Sequence, residues 1–167
     1  MDCRRRSHDF DEAIPIFDFH GPAGILISAY KFGGRTGLAS WFADRIAALI
    51  SERWPGRVLV PVPPRRSLSG ARSADHIERI ARILSASGLT VARPLLRGPS
   101  QEQKKLGLRE RAANASRAYR LRPFAKVPES VVIFDDVFTS GATADACSRA
   151  LRQGGATAVA FVSIAVD

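Results

Sequence analysis

Cysteine, methionine and histidine are all scarce in this chain, at two, one and three among 167 residues. Cys3 and Cys147 stand far apart with no CxxC, which argues against a disulfide framework and a zinc ribbon; no zinc is expected. His8, His20 and His76 show no metal-ligand spacing. Aromatic residues make up only 8%, and no row of them interleaves with the basic residues as a stacking platform for single-stranded nucleic acid requires. Long apolar runs are missing as well, so no segment is expected to cross a membrane. The basic start, MDCRRRSHDFDEA, runs into acids where a secretory leader needs an apolar stretch, and a cytoplasmic protein is expected.

What is present is ordinary globular material: 46% hydrophobic and 25% charged residues, enough for one domain with a real core. Acids are outnumbered, and the formal net charge is +9. The excess is concentrated between Arg93 and Lys126, where ten Lys/Arg face only Glu102 and Glu110. That balance suits a polyanionic ligand, either a nucleic acid or a small molecule with several phosphates.

Along the chain, GPAGILISAYKFGG predicts a short helix closed by Gly33 and Gly34, and a longer helix is expected from Thr36 to about Arg53. The β-branched run RVLVPVP predicts a buried strand. SADHIERIARILSASG predicts a helix capped by Ser73 and ended by Gly88. LTVARPLL, VVIF and AVAFVSIAV predict three more strands, the last two separated by a helix from about Thr143 to Gln153. Strands alternating with helices of this length imply βαβ crossovers and a mainly parallel sheet flanked by helices, an α/β fold.

The stretch VVIFDDVFTSGAT carries the chemistry. An apolar run that can be buried on both faces delivers Asp135 and Asp136 to a strand's carboxyl end, where ligands of parallel sheets sit. Thr139, Ser140, Gly141, Ala142 and Thr143 then lead into a helix whose unpaired N–H groups and dipole favour an anion. Two carboxylates beside an anion cradle make sense if they accept hydrogen bonds from sugar hydroxyls or face a divalent cation. A sugar phosphate satisfies both halves.

This stretch resembles the phosphoribosyl-pyrophosphate (PRPP) signature of the type I phosphoribosyltransferases. The resemblance implies that Asp135 and Asp136 contact ribose hydroxyls, and Mg²⁺ indirectly, while Thr139 to Thr143 hold the 5′-phosphate. A closer resemblance, over roughly Ile16 to Asp167, is to the ComF-type (competence protein F) phosphoribosyltransferases. It rests on LISAYKFGGRTGLA, on VLVPVPPRR, and on the spaced Gln103, Leu106, Arg111, Asn114, Ala118 and Tyr119. The chain departs from that family in lacking a four-cysteine ribbon, and in carrying Arg72, Ser73, Ala74, Asp75 and His76 where the family has Arg-Gly-Phe-Asn-Gln.

The resemblance implies one domain over 1–167: a loose tail to about residue 13, a small N-terminal hood with its leading helix to about 56, and a core beyond. It implies transfer of ribose 5-phosphate from PRPP, carried with Mg²⁺, to a nitrogenous acceptor, with release of pyrophosphate. Arg65 and Arg66 are then expected on the pyrophosphate, and Lys104 and Lys105, in a closing loop over Ser100 to Ala113, neutralise it as it departs. Phe138 is a candidate base contact. His76 reads as a capping or surface residue, Cys147 as core, and Lys31 matches the family pattern without a chemical role. The alternatives are a non-catalytic competence protein binding single-stranded DNA during uptake and a nucleotide-sensing regulator. A homodimer stays open.

Overall fold

The computed structural model describes residues 8–64, 75–98 and 118–167. Its strands are β1 (Glu12–Asp18), β2 (Val58–Pro61), β3 (Leu95–Arg97), β4 (Tyr119–Leu121), β5 (Ser130–Phe138) and β6 (Ala158–Val166). Its helices are α1 (Pro22–Lys31), α2 (Leu38–Arg53), α3 (Asp75–Ala86) and α4 (Ala142–Gln153). The main sheet runs β1-β6-β5-β2 in space with every pairing parallel, while β3 and β4 form a small antiparallel sheet of their own.

Burial on both faces explains the apolar runs. Val131 and Ile133 of β5 join a core with Val159 and Phe161 of β6 and with α4, while Val132 and Phe134 join the core built on α1, α2 and α3. Alternate residues thus serve opposite layers, so no polar position is left in VVIF. Each fully buried side chain of this kind contributes about 1.5–3 kcal/mol. The amphipathic helices divide accordingly, with Ile77, Ile80 and Leu84 of α3 on one layer and Ala146, Ala150 and Leu151 of α4 on the other.

Three features differ from the sequence expectation. First, EAIPIFD is a strand: β1 pairs with β6 from Glu12↔Ala160 to Asp18↔Val166. Its proline and terminal acids hide it, yet an edge strand tolerates Pro15, which lacks an N–H. Just before it, Asp9 pairs with Arg149 and Asp11 with Arg152, each at 2.5 Å, fastening residues read as part of a tail to α4. Second, LTVARPLL is not one strand. Val91 makes a single parallel bridge to Leu59, and only after Pro94, whose ring interrupts the N–H pattern, does β3 begin. Third, β5 runs four residues past Phe134, to Phe138. Among the described residues no helix is long and apolar enough to cross a membrane.

One glycine is fixed by close approach. A Cβ at Gly24 in the first turn of α1 would lie 2.1 Å from the carbonyl oxygen of Phe19, which is backbone and cannot swing aside. Gly24→Ala is therefore expected to destabilise the protein by about 1–3 kcal/mol through displacement of α1. Thermal unfolding checks this, and an unchanged Tm would show that α1 does not sit against the end of β1.

Candidate functional site

The chain leaves β2 through α3 toward one edge of the sheet, and leaves β5 through α4 toward the other. A parallel sheet opens a crevice at such a switch point, beyond the carboxyl ends of the two strands. Here β2 stops early. Its pairing with β5 ends at Pro61↔Phe134, and the Val62 N–H donates to the Phe134 carbonyl at 2.9 Å. From there β5 continues against β6 alone, to Phe138↔Val166. Asp135 and Asp136 therefore lie within the strand but on its open side, where Pro63 and Pro64 face a cleft of about 340 Å³.

Adjacent residues of a strand face opposite sides, and the two acids have different neighbours. Asp136 faces the α1–α3 layer. Its Oδ2 meets Lys31 Nζ at 2.5 Å and His76 Nε2 at 2.7 Å, all three side chains being less than one-fifth exposed. Burial opposes its charge, but the His76 hydrogen bond and the Lys31 ammonium outweigh it and hold the carboxyl down at about 2. Asp135 lies toward α4 and accepts the Asp136 N–H on Oδ1 at 2.9 Å. Burial first, and the charge of Asp136 second, push it up to about 7.

The same cleft is lined by Thr139, Thr143, Tyr119 and Arg97. Gly141 precedes α4 with φ +75, a conformation that side chains resist, and a Cβ there would also crowd the Phe138 ring at 3.2 Å. Asp145 in the first turn of α4 is occupied by His8, 3.1 Å away, and by the Asp9 N–H at 3.0 Å, so it turns to the N-terminal segment. Burial pushes the Tyr119 phenol well above its ordinary range, so it stays neutral. The Arg97 guanidinium lies over the Tyr119 ring at 5.1 Å. Its Nε is buried with no hydrogen-bond partner among the described residues.

Of the residues singled out from the sequence, Asp135, Asp136, Thr139 and Thr143 come together around the cleft, with Gly141 and Ala142 at the helix start. Ser140 is exposed outside the lining. Phe138 is not among the residues lining the cleft: its ring packs edge-on against Phe161 at 5.6 Å and Phe10 at 6.2 Å, in the α4-side core. Cys147 is buried, and burial pushes its thiol up. Arg65, Arg66, Lys104, Lys105, Arg111, Asn114 and the Ser100–Ala113 loop lie outside the described residues. Within the basic stretch, Arg93 pairs with Glu78 at 2.8 Å, and Arg122 Nε donates to the Arg93 carbonyl.

Three residues in or behind the cleft escaped the sequence reading. His76, taken for a surface cap, faces Asp136, and Lys31, without a role, reaches the same oxygen. Arg97 was one basic residue among ten. The signal for the first two was their position in the family pattern; for Arg97 the sequence holds none beyond its charge.

No protein-family model and no curated protein matches the chain. Solved structures do match. "Structure of the allosteric regulatory enzyme of purine biosynthesis" aligns over 81% of this chain at 16% identity with a TM-score of 0.51. The glutamine phosphoribosylpyrophosphate (PRPP) amidotransferase from B. subtilis, complexed with ADP and GMP, aligns over 81% at 16% identity and 0.50. This chain spans only 30% of the length of either. At such identity the likeness concerns the fold alone, and that fold is the type I phosphoribosyltransferase architecture, a mainly parallel sheet flanked by helices.

Proposed function

We propose that this chain binds PRPP with Mg²⁺ and transfers its ribose 5-phosphate to a nitrogenous acceptor, most simply a nucleobase, releasing pyrophosphate. One observation carries the reading. Two adjacent carboxylates open into a switch-point cleft whose other wall holds Thr139, Thr143 and the N-terminus of α4. A sugar phosphate has hydroxyls for the first wall and an anion for the second. The PRPP amidotransferase among the structural neighbours supports the substrate class, and the sequence motifs support the ComF type.

In this reading the 5′-phosphate takes the Thr139 and Thr143 hydroxyls and the backbone N–H groups of the loop, while the ribose hydroxyls donate to Asp135 and Asp136. Arg97, with an uncommitted donor beside these groups, binds a phosphate oxygen. Among the described residues no three His, Cys, Asp or Glu side chains gather to hold a metal. Asp135 and Asp136 are the residues that would meet Mg²⁺, indirectly, when it arrives with PRPP, and it would supply positive charge against the departing pyrophosphate. As the C1′–oxygen bond breaks, positive charge develops on the ribose ring, and the acceptor nitrogen forms the new bond to C1′. Positioning and electrostatics provide the catalysis, with Arg65, Arg66, Lys104 and Lys105 assigned to the leaving pyrophosphate. Of the four described arginines in the basic stretch, Arg93 pairs with Glu78, Arg122 donates to the Arg93 carbonyl and Arg97 lines the cleft, which leaves Arg120 as the exposed one a single-stranded DNA track could use.

Calorimetry with PRPP and MgCl₂, followed by pyrophosphate-release assays over purine and pyrimidine bases, tests the reading. Binding is expected with Kd between about 1 μM and 1 mM, and its absence sinks the proposal. In the same titration Arg97→Gln is expected to weaken PRPP about tenfold or more, the worth of a lost charged hydrogen bond. Unchanged affinity would remove Arg97 from the phosphate contacts.

A further inference from the structure

Three segments far apart in sequence converge on one oxygen. Lys31 ends α1, His76 opens α3, and both reach Oδ2 of Asp136, which is sixty residues beyond His76. The arrangement is itself braced. Tyr30, next to Lys31, donates its hydroxyl to the His76 carbonyl at 2.6 Å, and its ring meets the imidazole edge-on. Asp136 passes the order on, since its N–H holds Oδ1 of Asp135.

After these bonds are counted, each carboxylate keeps one oxygen without a partner among the described residues: Oδ2 of Asp135 and Oδ1 of Asp136. Both acids line the cleft. Two open acceptors match a ligand with two neighbouring hydroxyl donors. For that match the carboxylates must keep fixed orientations, and Lys31 and His76, both on Oδ2, fix the rotamer of Asp136 so that Oδ1 is the oxygen left open.

We propose that Lys31 and His76 are positioning residues that keep Asp135 and Asp136 as a paired acceptor for a vicinal diol, and so make the cleft selective for ribose over 2-deoxyribose phosphates. This rests on the reading of the cleft as a sugar-phosphate site. Lys31 and His76 act through the carboxylate they hold. Their effect is confined to the hydroxyl half of the site, since Thr139, Thr143 and the start of α4 hold the phosphate half independently of α1 and α3. A 2-deoxy ligand leaves one acceptor unpaired, and the loss appears as a difference between the two sugars.

The test compares binding of ribose 5-phosphate and 2-deoxyribose 5-phosphate, by calorimetry, to the full chain and its variants. The unmodified protein is expected to prefer the ribose sugar about tenfold. Lys31→Met is expected to abolish the preference while leaving affinity for the deoxy sugar within about twofold. Lys31→Arg and His76→Gln, which retain an N–H donor toward Asp136, are expected to keep most of it. If Lys31→Met does not fold, His76→Phe makes the same comparison through the other donor. A preference that survives Lys31→Met and His76→Phe overturns the proposal, as does tighter ribose binding by Lys31→Met, which would make Lys31 a competitor of the ligand. Equal loss for both sugars also overturns it, marking a role in folding only. If the unmodified protein binds neither sugar nor PRPP, the sugar-phosphate reading itself fails.

Discussion

Asp135→Asn combined with Asp136→Asn is expected to weaken PRPP binding by about tenfold to a hundredfold, with the fold retained. Asparagine keeps the shape and one oxygen of each side chain, so the packing around β5 is undisturbed. What disappears is charge. A hydrogen bond to a carboxylate is roughly twice as strong as one to a neutral acceptor, and each such bond is worth about 1.5–3 kcal/mol. Halving two of them removes about 1.5–3 kcal/mol, the tenfold to hundredfold stated. Calorimetry with PRPP and MgCl₂ measures the change, and circular dichroism on the same samples establishes that the variant is folded. An unchanged Kd in a folded variant would remove the carboxylates from the ligand site and with them the central reading.

The layered fold was legible because burial leaves a plain mark: VVIF and AVAFVSIAV have no polar interruption, and strands buried on both faces need none. The turn between β5 and α4 was legible for a different reason. Gly141 adopts φ +75 at the start of a helix, and a glycine between hydroxyl residues announces that geometry. Strand β1 was not legible, since Pro15 and the terminal acids break the pattern, and an edge strand tolerates both. Nor was the partition of the two acids. DD reads as one unit in sequence, but the two-residue period of a strand sends Asp136 to Lys31 and His76 and Asp135 toward α4. Contacts made across 60 residues have no local signature. Arg97 illustrates the same limit: a basic residue becomes a candidate ligand only when its neighbours fail to occupy it.

The partition of the acids has a consequence for stability. Asp135→Asn alone is expected to raise the melting temperature at pH 8, by roughly 5 °C, and to raise it progressively less as the pH falls toward 4. Asp135 is pushed up to about 7, by burial and then by Asp136, from an ordinary value near 3.8. The folded state therefore holds a proton that the unfolded state releases between those two values. Stability from this group is full below about pH 4, declines as the pH rises through the window, and is lowest above 7. Asparagine, which carries no charge, escapes the cost entirely, so its advantage is greatest where the carboxylate is ionised. About 2 kcal/mol is a conservative share of that cost, and in a chain of this size it corresponds to the shift stated. Asp136 behaves in the opposite sense. Held at about 2 by His76 and Lys31 against its burial, it stabilises the fold above pH 4 and loses that contribution only below. Asp136→Asn is then expected to lower the melting temperature at pH 8, because Lys31 is left partly buried without its partner. Melting curves of both single variants at pH 8 and pH 4.5 decide the matter. If Asp135→Asn destabilises at pH 8, or its effect grows toward acid, the carboxyl does not carry the strain assigned to it.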